Sequence, residues 1–394
     1  MLAAIRGEQI DRIPWAPRLD LWYSANRRAG ALPPQYADAN LMDMVDDLGW
    51  GFHAVVPDFR DLRGPEDDVD RALGIYNLWS MPWRTELRDV ERGVRREGDR
   101  TVAHYRTPVG SVQTVVLYTE EMRRAGVSLT HVEQYAFKGP QDYEPLGYIF
   151  ERARVQENYS GYAEFAAGIG ERGLAVGFGS LAASPMHYVQ RELMPLDVFF
   201  YEMYDRPDEL HRLANQVGLY WEQMVEVVTR CPADVVLLGA NYDASVTYPP
   251  FFAEHIQPWL KRAAGALHAR GKYLLTHTDG ENAGLLDHYV DSGIDVADSI
   301  CPAPMTSQTL EEVRDAFAGR ICIMGGIPSV ALLPSSMPER RFGQFVDQLF
   351  AHIGGGDHLI LGVSDTTPPG ADFGRLLEIA RRVERFGPVR QSPF

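Results

Sequence analysis

What most constrains this chain is a regular alternation that begins at Leu174. Short apolar runs with strand character recur at 174–179, 234–238, 272–277, 294–300, 320–324 and 358–363. Each is followed by helical periodicity, at 186–193 and 207–230, 250–270, 283–291, 309–318, 339–353 and 372–386. Strands that alternate with helices predict a parallel sheet. The punctuation agrees. Pro249 and Pro250 open one helix and Gly271 stops it, while Phe252, Ile256, Leu260, Ala263 and Leu267 form its apolar stripe. Thr309 and Glu312 have the spacing of a capping box.

Two more strand-like runs, 13–23 and 51–57, precede these six, with a helix at 41–48 between them, which brings the count to about eight. In a chain of 394 residues that number favours a (β/α)8 TIM barrel in one domain, 1–394, with an open doubly wound sheet as the alternative. One stretch breaks the pattern. Residues 85–119 alternate, are rich in β-branched residues, and turn at 97–99 and 108–110. They read as an inserted antiparallel β-hairpin region that forms a lid or pocket wall. A helical stretch is expected from 138 to beyond Arg152.

The net charge of −16 argues against a nucleic-acid surface. Charges within the first dozen residues and no long apolar run predict neither a signal peptide nor a membrane span, and so a cytoplasmic protein. Cys231, Cys301 and Cys322 lie far apart and read as buried thiols. Gly168–Gly173 matches GxGxxG but follows a helix and precedes a strand, the reverse of the dinucleotide order.

Polar residues gather at the C-terminal ends of the strands, where α/β proteins bind ligands. Asn241, Tyr242 and Asp243 follow one strand, His277 and Asp279 the next; Asp298 ends a third, Gly325 and Gly326 follow a fourth, and Asp365 follows the last. Each has a plainer reading. His277 could be a hydrogen-bonded structural histidine, Asp279-Gly280 a turn, Asn241 and Asp243 an Asx turn, and Asp365 a loop cap. Gly325-Gly326 could simply make room for a neighbour or for a ligand.

The stretches HTDGENAGLLDHYVDSGIDVAD, ICIMGGIPS and LGVSDTTPP resemble the uroporphyrinogen decarboxylase superfamily, and within it the corrinoid-dependent methyltransferases. That branch shows His-x-Cys-Gly where this chain has His277-Thr278-Asp279-Gly280. It shows a second Cys three residues before a Pro pair, where Asp365 precedes Pro368-Pro369. In the family the His and both Cys bind zinc. The resemblance therefore implies His277, Asp279 and Asp365 as catalytic metal ligands, with Glu254 or Asp243 as substitutes. Two carboxylates for two thiolates keep the charge but harden the site, which admits Mn²⁺ or Fe²⁺ beside Zn²⁺. The decarboxylase branch reads roughly RQAGRYLPEY near its N-terminus; here residues 26–36 read NRRAGALPPQY, with Ala31 in place of the second arginine.

The implied activity is transfer of a methyl group from a small O-methylated substrate, with methoxylated aromatics as one candidate class, to a corrinoid carried by a partner protein. Arg18, Asn241, Tyr242 and Asp243 are the expected substrate-facing residues. Two other readings stay open: a metal-independent decarboxylase or lyase anchored on Asp20 or Asp58, and a catalytically silent binding protein.

Overall fold

The computed structural model describes residues 1–54, 63–64 and 66–391. Among the described residues twelve strands are defined: β1 (Trp83–Leu87), β2 (Glu91–Glu97), β3 (Arg100–Thr107), β4 (Gly110–Leu117), β5 (His131–Gln134), β6 (Ala153–Glu157), β7 (Gly177–Ser180), β8 (Val235–Ala240), β9 (Tyr273–His277), β10 (Val296–Ile300), β11 (Cys322–Pro328) and β12 (Leu359–Ser364). The last six form one sheet in the order β12-β11-β10-β9-β8-β7, and every pair is parallel. Their C-terminal ends therefore share one edge. Helices occupy the crossovers, so the strands are covered on both faces and read as nearly continuous apolar runs.

The outer edges of this sheet are not bare. Trp15 forms a parallel bridge to Leu361 of β12, with Ala16 N–H donating to Leu361 O at 2.9 Å. Gly51 N–H donates to Trp15 O at 2.8 Å. Phe52 bridges Gly173 in parallel, and Val176 N–H donates to Ala54 O at 3.2 Å, just before β7. Backbone hydrogen bonds thus run from β12 through 14–16 and 51–54 to the start of β7.

Two antiparallel sheets lie outside this one. β1 pairs with β6, and β2-β3-β4-β5 form a four-stranded sheet. The second of these begins within the alternating stretch 85–119 and takes in β5 beyond it.

Several helices match the sequence pattern closely. Pro207–Arg230 has both expected ends. The stripe from Phe252 to Leu267 is buried throughout, along a helical run from Pro249 to His268 that contains a π turn at Phe252–Ile256. At Leu310–Phe317 the capping box forms: Thr309 Oγ1 accepts from Glu312 N–H at 3.2 Å, and the Glu312 carboxylate accepts from Thr309 N–H at 2.7 Å. Thr309→Ala should therefore cost about 1 kcal/mol, read as a lower urea-unfolding midpoint; an unchanged midpoint would mean the cap is idle.

The N-terminal strand expected over 13–23 is corrected. Only its first part joins the ladder, and Asp20–Ala29 is a helix. The aromatic run Trp22-Tyr23 suggests a strand, but Asp20 in the first turn and Gly30 at φ 65° after the last are helix-terminus chemistry. The helix expected to run past Arg152 ends there, and the chain continues directly into β6. Leu196–Asp205 is an additional helix. All three cysteines are free and buried. Among the described residues, no helix is long and apolar enough to cross a membrane.

Candidate functional site

β9 ends at His277, and β10 sets Asp298 opposite it in register. Neighbours in register point to the same face, so the two side chains meet: His277 Nδ1 lies 2.6 Å from Asp298 Oδ2. A carboxylate only accepts, so Nδ1 carries a proton and Nε2 is the nitrogen turned to the rest of the group. Nε2 faces two more carboxylates, Asp365 Oδ1 at 3.2 Å and Asp279 Oδ2 at 3.7 Å. One ligand atom from each of His277, Asp279 and Asp365 can be chosen so that all three lie within 4.8 Å of one another.

Each member of this group is held by a neighbour. Asn241, at φ 59°, donates its side-chain amide to both Asp279 oxygens at 3.1 and 3.0 Å. Its backbone N–H donates to His277 O at 3.0 Å. Arg18 Nη1 donates to Asp365 Oδ1 at 2.8 Å, while its Nε lies 3.4 Å from Asp20. Burial opposes the Arg18 charge, but Asp20 and Asp365 outweigh it and hold the guanidinium pKa above its ordinary value. Asp298 uses its second oxygen on His53 Nε2, at 3.2 Å.

The electrostatics are those of a cation cage. Burial works against a charged His277, but the surrounding carboxylates of Asp279, Asp298 and Asp365 together hold its pKa well above the usual value. Burial raises the Asp298 and Asp365 pKa values, yet the His277 contact pulls both well below the carboxylate range. Where a buried imidazole and two carboxylates converge, positive charge is needed, and either a proton or a divalent ion can supply it. One nitrogen and two oxygen donors suit Zn²⁺, Mn²⁺ or Fe²⁺ with a position left open. Cys301 lies near enough to feel Asp279 and Asp365; burial first and those charges second push its thiol up to about 12, so it stays protonated.

Other expected residues fall elsewhere. Tyr242 does not line an open site: it is 0% exposed, its hydroxyl accepts from Thr276 Oγ1 at 2.8 Å, and its ring packs on Phe252 and Tyr289. Asp243 ties its own loop, accepting from Ser245 N–H at 2.8 Å and Glu281 N–H at 3.0 Å. Glu254 has a 73% exposed side chain turned to His255 at 3.8 Å and stands outside the His277 group. Asp58 lies outside the described residues. Gly325 leaves no gap for a ligand, since a β-carbon there would sit 3.0 Å from the Ile300 backbone and 3.1 Å from Ser364 Oγ.

Two neighbours of the site had weak sequence signals. Asp298 stands at a strand end like His277, and aligning the two strands would have paired them. His53 sits on a segment too short for periodicity to orient. A cavity of about 480 Å³, lined by Ile13, Trp15, Trp50, Arg172 and Leu174, lies at the N-terminal ends of the strands, away from this chemistry.

No curated protein sequence matches the chain. Its structure is similar to a methyltransferase from Methanosarcina mazei, with a TM-score of 0.50 and 12% identity over 98% of this chain and 97% of that one, a likeness of fold. Residues 191–386, which carry β8 to β12 and the whole His277 group, match the family model described as uroporphyrinogen decarboxylase (URO-D). Residues 191–386 thus carry a uroporphyrinogen decarboxylase family domain.

Proposed function

We propose that this protein is a metal-dependent methyltransferase of the corrinoid-dependent branch, acting in the cytoplasm. It moves a methyl group from a small O-methylated substrate, a methoxylated aromatic being the leading class, to a corrinoid on a partner protein. The observation that carries the reading is the convergence of His277 Nε2, Asp279 and Asp365, with Nδ1 fixed by Asp298. The family match of residues 191–386 and the fold shared with a methyltransferase support it. In this reading the bridges through 14–16 and 51–54 close the sheet into a single-domain (β/α)8 barrel, and the stretch 85–119 is a wall or lid of its mouth.

His277, Asp279 and Asp365 would hold the ion. A divalent ion there supplies Lewis-acid polarisation of an oxygen, which makes an ether oxygen a better leaving group. A corrinoid cobalt(I) supplies the methyl acceptor. The chain's own part is orientation: Asn241 aims Asp279, Arg18 aims Asp365 and Asp298 aims His277. The test is metal content of the purified protein by mass spectrometry, then methyl transfer from methoxylated aromatics to cob(I)alamin. About one zinc, manganese or iron per chain with transfer supports the reading. No metal after reconstitution overturns it.

The description of the matching family model favours a second reading, a metal-independent decarboxylase anchored on Asp20 beside Arg18. Carbon dioxide release by metal-free protein would support it.

A further inference from the structure

We propose that Asp298 and His53 form a positioning pair that sets the His277 imidazole for a divalent ion. The inference rests on the metal-site reading above. It adds two residues from separate parts of the chain that stand outside the His277, Asp279 and Asp365 group.

The geometry is unusual for a merely structural carboxylate. Asp298 is 1% exposed, yet both its oxygens grip imidazoles: Oδ2 at 2.6 Å from His277 and Oδ1 at 3.2 Å from His53. Taking a carboxylate out of water costs several kcal/mol unless its lone pairs are matched. Here they are matched by two ring N–H groups. The Asp298 backbone is also tied to the exit of β9, because its carbonyl accepts from Thr278 N–H at 2.7 Å and Thr278 Oγ1 at 3.0 Å. The ligand-bearing turn is thus clamped at two points by one residue.

The clamp decides the tautomer. With a carboxylate opposite Nδ1, the proton stays on Nδ1, so Nε2 is the nitrogen that can give its lone pair to an ion. His53 stops the carboxylate from rotating to share both oxygens with His277, which fixes the plane of the ring. Its side chain is 7% exposed and comes from the 51–54 segment, so this contact joins the N-terminal part of the fold to the site.

Co²⁺ titrations of the full chain, read by the visible absorption of the bound ion, test this. Loss of an outer-shell partner costs about 10–100-fold in metal affinity. Asp298→Asn should fall in that range, because the amide can turn its N–H towards Nδ1 and drive the proton onto Nε2. His53→Ala should weaken Co²⁺ by about 10-fold and alter the absorption envelope, and His53→Gln, which keeps a donor, should recover most of the loss. Circular dichroism of the metal-free proteins separates this from misfolding, and if Asp298→Asn does not fold, the His53→Ala and His53→Gln pair decides. Wild-type binding with unchanged affinity and spectrum in His53→Ala overturns the positioning pair and leaves the metal site standing. Absence of Co²⁺ binding by the wild type overturns both.

Discussion

His277→Ala should yield a folded protein without stoichiometric divalent metal, its affinity lower by more than the ~100-fold that an outer-shell loss can cost. His277 is the sole nitrogen donor in the group, and its Nε2 is the atom on which Asp279 and Asp365 converge. Without it, two oxygens on separate loops must hold the ion, beside a buried Asp298 that has lost its closest partner. Asp365→Asn should be milder for the fold, since Arg18 keeps Asp20 at 3.4 Å, but should also weaken the metal by removing one charge of the ligand set. Glu254→Gln is the control: its side chain is 73% exposed and outside the group, so affinity should not change. Competition with a chelator, followed by mass spectrometry, measures all three. Full metal retention by His277→Ala would remove His277 from the ligand set.

What could be read in advance follows from how side-chain direction is encoded. The β/α units from β8 onward are legible because periods of 2 and 3.6 differ and because their ends carry Pro, Gly, Thr or Asp caps. Strand-end position then shows which edge a polar residue occupies, and His277, Asp279 and Asp365 do meet at one edge. Position along the chain does not show which way a side chain points after the strand has ended. Asn241, Tyr242 and Asp243 are consecutive, so they cannot all face one point. Asn241 turns to Asp279, Tyr242 goes into the aromatic layer, and Asp243 closes its loop. The 13–23 misreading has a related cause. Trp22 and Tyr23 are buried either way, and burial alone does not distinguish a strand from one face of a short helix. His53 offered neither a period nor a cap; its relation to Asp298 exists only once the chain has folded.

Gly239→Ala should be among the more damaging single-methyl additions in the molecule. Gly239 lies where the β8–β9 register shifts, between Leu237 and Ala240, at φ +88°. A β-carbon there would overlap the Tyr242 hydroxyl and lie 2.7 Å from Ala183 Cβ and 3.1 Å from Thr276 Oγ1. None of these can move cheaply, because Tyr242 is fully buried and bonded to Thr276. Overpacking costs about 1–3 kcal/mol, and a left-handed alanine adds about 1–2 kcal/mol. Gly265→Ala is the matched control. It lies within the helix Gln257–His268, and an added β-carbon meets nothing within 4 Å, so it should gain up to about 1 kcal/mol. Urea unfolding of the pair gives the stability difference directly. The same shift in register delivers Asn241 to Asp279, so the Gly239 variant should also bind metal more weakly while the Gly265 variant does not. If Gly239→Ala is as stable as Gly265→Ala, the bulge can relax, and the packing of Tyr242 under the ligand turn is looser than the structure requires. A stability loss without a change in metal affinity would mean instead that Asn241 finds Asp279 by itself, and that the close packing around Gly239 serves the fold alone.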